Sequence, residues 1–388
     1  MKELQEIVKA FDDAERRGLK TALATVVHVV GSAYRHEGAR MLVKENGELT
    51  GAISGGCLEG DALRKARQSM LENRKMLVTY DTTDEDDATL GVGLGCNGII
   101  KVLLEPVNSS DELNPVNLFK SFLAKRQTAV LGTFFSMEDK HAQPGTCALI
   151  TEGMNIQTDI EWSTKKRFID DAERVLASGQ SLINNYQYTT AFVEYLKPPV
   201  HLVVFGAGND AIPLVRFCAI LGWEVSVVDG RSNYATADRF PSATQVLVSK
   251  PENALSGLVF DNWTVAVLMT HNYNYDLATL KQLLGIGLRY IGALGPKKKL
   301  RRMLDELEDE GLHISEEKLN SIFGPTGLDI GSETPEEIAL SIVSEIKAVL
   351  STREGTSLKF RQVEQNSVIM PDDDVIISIG QYLTRKAL

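Results

Sequence analysis

Two of the four cysteines stand among glycines, Cys57 in GAISGGCLEG (51–60) and Cys96 in GVGLGCNG (91–98). Glycine supplies backbone freedom and no side chain to pack, so a thiol framed by it suits a place where backbone meets a ligand. Such a thiol can act as a nucleophile, carry sulfur or touch a metal-bearing cofactor. The competing reading is packing, because small free thiols are often buried. After Ser54, Gly55, Gly56 and Cys57, the residues Leu58, Ala62, Leu63, Ala66, Met70 and Leu71 follow helical spacing. Cys57 is therefore expected at a helix N-terminus, where thiol pKa falls and anions are favoured. Cys96 is expected in a long loop in which the acids Asp81, Asp84, Glu85, Asp86 and Asp87 precede Gly91, Gly93, Gly95 and Gly98. Those acids suit a cation or merely a solvated surface. Arg35 and Arg40 offer forked contact to phosphate or carboxylate, unless Arg40 is a strand residue facing solvent.

A second chemistry-bearing stretch begins after Pro198 and Pro199. VHLVVFGAGNDAIPLVRFCAILGWEVSVVDGR reads as strand, glycine turn, helix and strand, with Gly206, Gly208 and Ala211 in a GxGxxG/A pattern. Asp229 lies 21 residues beyond Gly208, near the spacing of a ribose-binding acid. A phosphate would sit at the N-terminus of the following helix, or the turn is only a connection with an empty pocket. Further strands are expected at 246–248, 264–269 and 289–293, giving a mostly parallel sheet. Thr270, His271 and Asn272 should then lie at carboxyl strand ends, where ligands collect. His271 suits acid–base work or the simpler task of fixing a loop. The cations from Lys297 to Arg302 hint at an anionic partner or form a solvated helix face. Gly324, Pro325, Gly327 and Asp329 make a glycine-rich turn suited to the same crevice. Thr334, Pro335, Glu336 and Glu337 are a well-specified helix start.

These residues must be held by more than one core, since 388 residues exceed what one usually spans. Before Pro198 there is an internal repeat. Residues from Thr21 align with those from Thr128 at an offset of 107, and IKVLLEP from Ile100 aligns with FVEYLKP from Phe192 at an offset of 92. The second copy lacks GSAYR, SGGC and the Cys96 loop. The expected organisation is a first lobe at 1–108, a degenerate second copy at 109–199, a Rossmann-like domain at 200–350 and a tail at 351–388 with a late strand at 374–380. The fold class is α/β, with an N-terminal α+β region ahead of the parallel sheet. A formal charge of −11 opposes nonspecific binding to nucleic acid. No apolar run reaches membrane-spanning length, and the acidic amphipathic start is unlike a signal peptide, so a cytoplasmic protein is expected. The four cysteines have neither zinc-ligand spacing nor the pattern of a disulfide framework.

GSAYRHEGARMLV, GAISGGCLEG, GLGCNG, FGAGNDAIPLV, THN at 270–272, YIGALGPKKK and GPTGLDIGSETPEEIA together resemble the XdhC/CoxI family of xanthine dehydrogenase accessory factors. The resemblance covers about residues 10–106 and 200–348. The chain departs from the family pattern at Tyr34, where proline is common, and at Asn97, where glycine is common. The resemblance implies a factor that binds the molybdenum cofactor (molybdopterin), protects it during sulfuration by a cysteine desulfurase, and assists its insertion into a xanthine dehydrogenase-type enzyme. On this reading Arg35, Arg40, Ser54, Gly55, Gly56, Cys57, Gly95 and Cys96 serve the cargo. Gly206, Gly208, Asp229 and His271 would hold a phosphate or nucleotide portion. The alternative is an oxidoreductase using NAD(P), with His271 as acid or base. The repeat suggests paired lobes and a homodimer.

Overall fold

The computed structural model describes residues 1–82, 98–139 and 142–360. Met1–Gly355 form one compact unit; in the second, from Thr356, a short 3-10 turn spans Leu358–Phe360. The late strand expected at 374–380 lies outside the described residues.

The first copy runs α1 (Lys2–Arg16), β1 (Thr21–Gly31), β2 (Arg40–Lys44), β3 (Leu49–Gly51), α2 (Glu59–Glu72), β4 (Met76–Asp81) and β5 (Gly98–Val107). The second runs α3 (Pro115–Leu123), β6 (Ala129–Phe135), β7 (Gly145–Thr151), β8 (Asn155–Thr158), α4 (Trp162–Ser178), β9 (Leu182–Tyr186) and β10 (Thr189–Leu196). Strand order is β3-β2-β1-β5-β4 in one sheet and β8-β7-β6-β10-β9 in the other, so the repeat is a repeat of fold. Both anchors need correction in register, the first by one position in β1, where Leu23 matches Leu131 and not Val130. Leu23 pairs with Leu42 and Glu105, while Leu131 pairs with Leu149 and Glu194. Glu105 and Glu194 are therefore equivalent, 89 positions apart rather than 92.

Each sheet has one face under its own helix. Ala62, Ala66 and Met70 of α2 pack on Ala22, Ala24, Met41, Val43 and Val102. Phe168, Ala172 and Val175 of α4 pack on Val130, Ala148, Ile150 and Val193. The opposite faces share one core, in which Ile7 and Phe11 of α1 and Phe119 and Phe122 of α3 meet Leu23, Leu42, Leu131 and Leu149. Burying each such large side chain contributes about 1.5–3 kcal/mol. The periodicity of α1 follows from this: Leu4, Ile7, Phe11 and Ala14 are its buried residues, and they fall on one face.

Polar groups are exchanged across the seam between the copies. Arg40, only 1% exposed, donates from both terminal nitrogens to Glu194, with the Nη1 bond at 3.1 Å. Its guanidinium also lies 5.1 Å from the centroid of Phe119 and donates to the Gly38 carbonyl at 2.9 Å. In the reciprocal place, buried Glu105 accepts from the Thr146 amide at 2.7 Å and its hydroxyl at 2.8 Å. Arg40 and Thr146 are equivalent by pairing, opposite Thr25 and Thr133.

The third sheet is parallel throughout, in the order β13-β12-β11-β14-β15-β16. Its strands are β11 (His201–Phe205), β12 (Glu224–Asp229), β13 (Gln245–Val248), β14 (Thr264–Leu268), β15 (Ile291–Ala293) and β16 (Ile322–Phe323). The buried side chains of α5 (Ala211–Ile220) and α8 (Pro335–Leu350) join the core on one face; those of α6 (Tyr273–Leu283) and α7 (Lys297–Asp309) join the core on the other. This is the Rossmann-like arrangement expected from the sequence. Strand order reverses at β11, so the ends of β11 and β14 form the switch point at which ligands bind in this fold. The Thr334 cap forms with Glu337 as a reciprocal capping box. Arg126 ties the sheets together, donating to Glu224 and Asp261 at 2.6 Å each.

Candidate functional site

The turn that carries Cys57 is built around one hydroxyl. Ser54 is buried, and its Oγ accepts from the amides of Gly56 at 3.2 Å and Leu58 at 3.1 Å, with the Cys57 Sγ 3.5 Å away. The same hydroxyl donates to Glu59, whose carboxylate also accepts from the amides of Ser54 at 2.8 Å and Ile53 at 3.2 Å. Burial pushes the Glu59 carboxyl up, but these donors outweigh it and hold its pKa below the ordinary value. Gly56 has φ of 114° with open space where a Cβ would stand, so backbone conformation alone requires glycine there. At Gly51 a Cβ would run into the Arg40 carbonyl, which fixes how the strand enters the turn.

The helix begins later than its spacing predicts: α2 starts at Glu59 with Leu58 as its cap, so Cys57 precedes the cap by one residue. Acids Glu59 and Asp61 already occupy the positive first turn of α2. Tyr34 from the GSAYR segment lies over Gly55, bringing the two segments that the second copy lacks into contact; the residue is 71% exposed. In the second copy α4 begins at Trp162, which the 107 offset matches to Gly55, so helix replaces the glycine turn. Cys57 is half-buried, whereas burial pushes the Cys147 thiol up to about 12 and the Cys218 thiol further up. Gly95 and Cys96 lie outside the described residues.

The two arginines expected beside this turn have different tasks. Arg35 is a third exposed and pairs with Glu3 at 2.6 Å. Arg40 faces neither solvent nor an open site: it is committed to Glu194, and its backbone amide donates to the other oxygen of Glu3 at 3.1 Å. Its partner stands 154 residues away, so no local pattern could have signalled the interior role.

The Rossmann-like crevice gathers the remaining candidates. Gly206 has φ of 126°, and a Cβ there would strike the Met269 carbonyl at the end of β14. Asp229 is 3% exposed and accepts from the Ala207 amide at 2.7 Å. It is also held by Arg231, two residues away, a partner that glycine spacing does not signal. Gly208 sits beside Asp210, whose carboxylate is 2.7 Å from the His271 Nε2. His271 is largely exposed and has φ of 57°, a left-handed conformation uncommon outside glycine. Lys299 of the cationic run reaches back to buried Asp276 at 2.5 Å, which explains that cation structurally. The Cys57 turn and the Rossmann-like crevice belong to different sheets. Among the described residues no three His, Cys, Asp or Glu side chains gather as a metal-holding group, and no helix is long and apolar enough to cross a membrane.

Comparison with known proteins bears on both sites. Residues 14–81 match the XdhC and CoxI family, and residues 202–346 match the XdhC Rossmann domain. A Bacillus subtilis (strain 168) protein, named as a probable xanthine dehydrogenase subunit, is 34% identical over 328 residues, covering 84% of this chain and 92% of that one. The chain belongs to the XdhC and CoxI family. Another relative, "Molybdenum cofactor insertion chaperone PaoD" from Escherichia coli (strain K12), is 24% identical over 351 residues and 90% of each chain. A crystal structure described as a xanthine dehydrogenase from Bacillus halodurans superposes with a TM-score of 0.75 at 30% identity, over 91% of this chain and 98% of that one. The XdhC and CoxI match ends at residue 81, so it includes the Cys57 turn and stops short of Cys96.

Proposed function

We propose that this XdhC and CoxI family member is an accessory factor that takes the molybdenum cofactor as cargo for a xanthine dehydrogenase-type molybdoenzyme. It holds and protects the cofactor while a terminal sulfur ligand is installed with a cysteine desulfurase, then assists its insertion into the apoenzyme. The observation that carries this reading is the contrast among thiols. Cys57 is half-buried, packed partly against the α2 core in a turn whose polar groups are ordered by Ser54 and Glu59, while Cys147 and Cys218 are buried in cores. The likeness of nearly the whole chain to a molybdenum cofactor insertion chaperone supports the choice of cargo.

The residues suit that cargo chemically. Cys57 supplies a soft donor, and the exposed ring of Tyr34 over Gly55 supplies a flat surface for a pterin. The open space at Gly56 admits close approach, and Arg35 offers a guanidinium for a phosphate. Gly95 and Cys96 are assigned to the same cargo on sequence alone. An NAD(P)-dependent oxidoreductase is the alternative, for which the His271–Asp210 pair beside Gly208 is the supporting observation.

Gel filtration of the purified chain mixed with molybdenum cofactor, with retained pterin read by fluorescence, tests binding. Coexpression with a xanthine dehydrogenase tests delivery. Retained pterin, with dehydrogenase activity reduced by Cys57→Ala at unchanged thermal stability, is the expected result. No retained pterin and equal dehydrogenase activity with and without the chain would overturn the reading. Oxidation of NADH or NADPH by the chain and a small-molecule acceptor would favour the alternative.

A further inference from the structure

We infer that the Rossmann-like crevice selects a phosphate monoester instead of a free ribose diol, through a clamp of Arg231 and Arg239 stacked on Tyr234. The first argument is saturation. A carboxylate offers about four lone-pair sites. At Asp229 all four are taken: Oδ1 accepts from the Arg231 amide at 2.8 Å and its Nε at 2.9 Å, and Oδ2 accepts from the Ala207 amide and the Arg231 Nη2 at 2.7 Å each. The acid that in this fold receives ribose hydroxyls has nothing left to accept them with. It serves instead to orient a guanidinium.

The second argument is the arrangement of cations. Arg231 and Arg239 lie 4.2 and 4.9 Å from the centroid of the same Tyr234 ring. Stacking holds both guanidinium planes in place while leaving edge N–H groups for a ligand. Arg239 is fixed beside the glycine turn by bonds to the carbonyls of Ala207 at 2.6 Å and Tyr234 at 2.8 Å and to the Asn209 side chain at 2.8 Å. Those acceptors are all neutral, so among the described residues the Arg239 charge is not matched by a carboxylate. Asp210, the other acid facing this turn, has its Oδ2 2.7 Å from the His271 Nε2 and makes no ion pair with Arg239. A phosphate supplies the anionic partner that Arg239 lacks. The same phosphate chemistry occurs on the ribose of NADPH and in other phosphorylated ligands, including the cargo proposed above. The inference does not depend on that cargo.

Titration of the full chain with NADPH, NADH and inorganic phosphate, read by nucleotide fluorescence and by phosphorus NMR line broadening, separates the cases. Charge-assisted bonds to one phosphate correspond to about 10- to 100-fold in affinity. NADPH binding tighter than NADH by that factor, with the advantage lost in Arg239→Gln, supports a dinucleotide as the source. Phosphate binding that Arg239→Gln abolishes, without dinucleotide binding, supports another phosphorylated ligand. Arg231→Gln should free Asp229 and raise the affinity for NADH, with circular dichroism confirming the fold. NADH binding as tightly as NADPH, phosphate binding that survives Arg239→Gln, or no binding of any of the three would overturn the inference.

Discussion

The Arg40–Glu194 pair is the sharpest place to test how the two copies are held together. Arg40→Met removes a guanidinium that is 1% exposed, together with its bonds to Glu194 and to the Gly38 carbonyl. Glu194, its side chain 14% exposed, is left as an unmatched carboxylate at the seam. Breaking a buried pair from one side costs about 3–5 kcal/mol, because the remaining charge stays desolvated. Glu194→Leu should cost the upper part of that range, since the guanidinium it strands has less access to water than the carboxylate has. The double variant removes both charges and places apolar groups beside Phe119. It should return to within about 1–2 kcal/mol of the parent, giving a coupling of roughly 5 kcal/mol or more. Urea unfolding followed by circular dichroism measures all four corners of the cycle. Single variants that cost under about 1 kcal/mol, or a double variant as unstable as the sum of the singles, would refute the claim that this pair joins the copies.

Two further expectations concern thiols and pH. In a Cys96→Ser background, an aromatic disulfide reagent should find one fast thiol per native chain, and Cys57→Ser should remove it. Cys147 and Cys218 should react only as the chain unfolds, because burial raises their pKa; a fast thiol that survives Cys57→Ser would contradict this. His201, at the start of β11, lies 2.8 Å from the Ser226 hydroxyl, and burial and then Arg126 lower its pKa to about 4 from 6.5. The unfolded chain then binds the proton more readily, so stability should fall as pH drops from about 6.5 toward 4. The loss is about 3 kcal/mol from this group, and His201→Gln should flatten that window in pH-dependent urea midpoints.

What could be read from the sequence was local. The glycine turn at Gly206–Gly208, the acid ending β12 and the Thr334 cap are each specified by neighbours within a turn or a strand, and the structure forms them as expected. The Ser54–Cys57 turn was legible as a turn, but not its dependence on Glu59, because SGGCLE does not reveal which backbone amides a glutamate will meet. The partners of Arg40 and Asp229 were not legible, for different reasons. Arg40 is satisfied by a strand of the other copy, beyond any local pattern. Asp229 is saturated by the adjacent Arg231, which a search for glycine spacing overlooks. The repeat slipped by one position in its first strand and by three at its second anchor because these strands are apolar runs of similar pattern. An odd shift exchanges a strand's two faces, and the pairing of Leu23 and Leu131 with Glu105 and Glu194 sets the true register.

The reciprocity of Glu105 and Glu194 means that neither copy is a complete object. Each carries an acid at the seam whose side-chain partners belong to the other: Thr146 for Glu105, and Arg40 for Glu194. A chain cut between Val107 and Pro115 would leave two halves, each with an orphaned acid and an uncovered half of the shared core. The duplicated lobes are thus interlocked as one folding unit whose halves differ at the junction where one carries an extra turn of helix and the other a glycine-built turn.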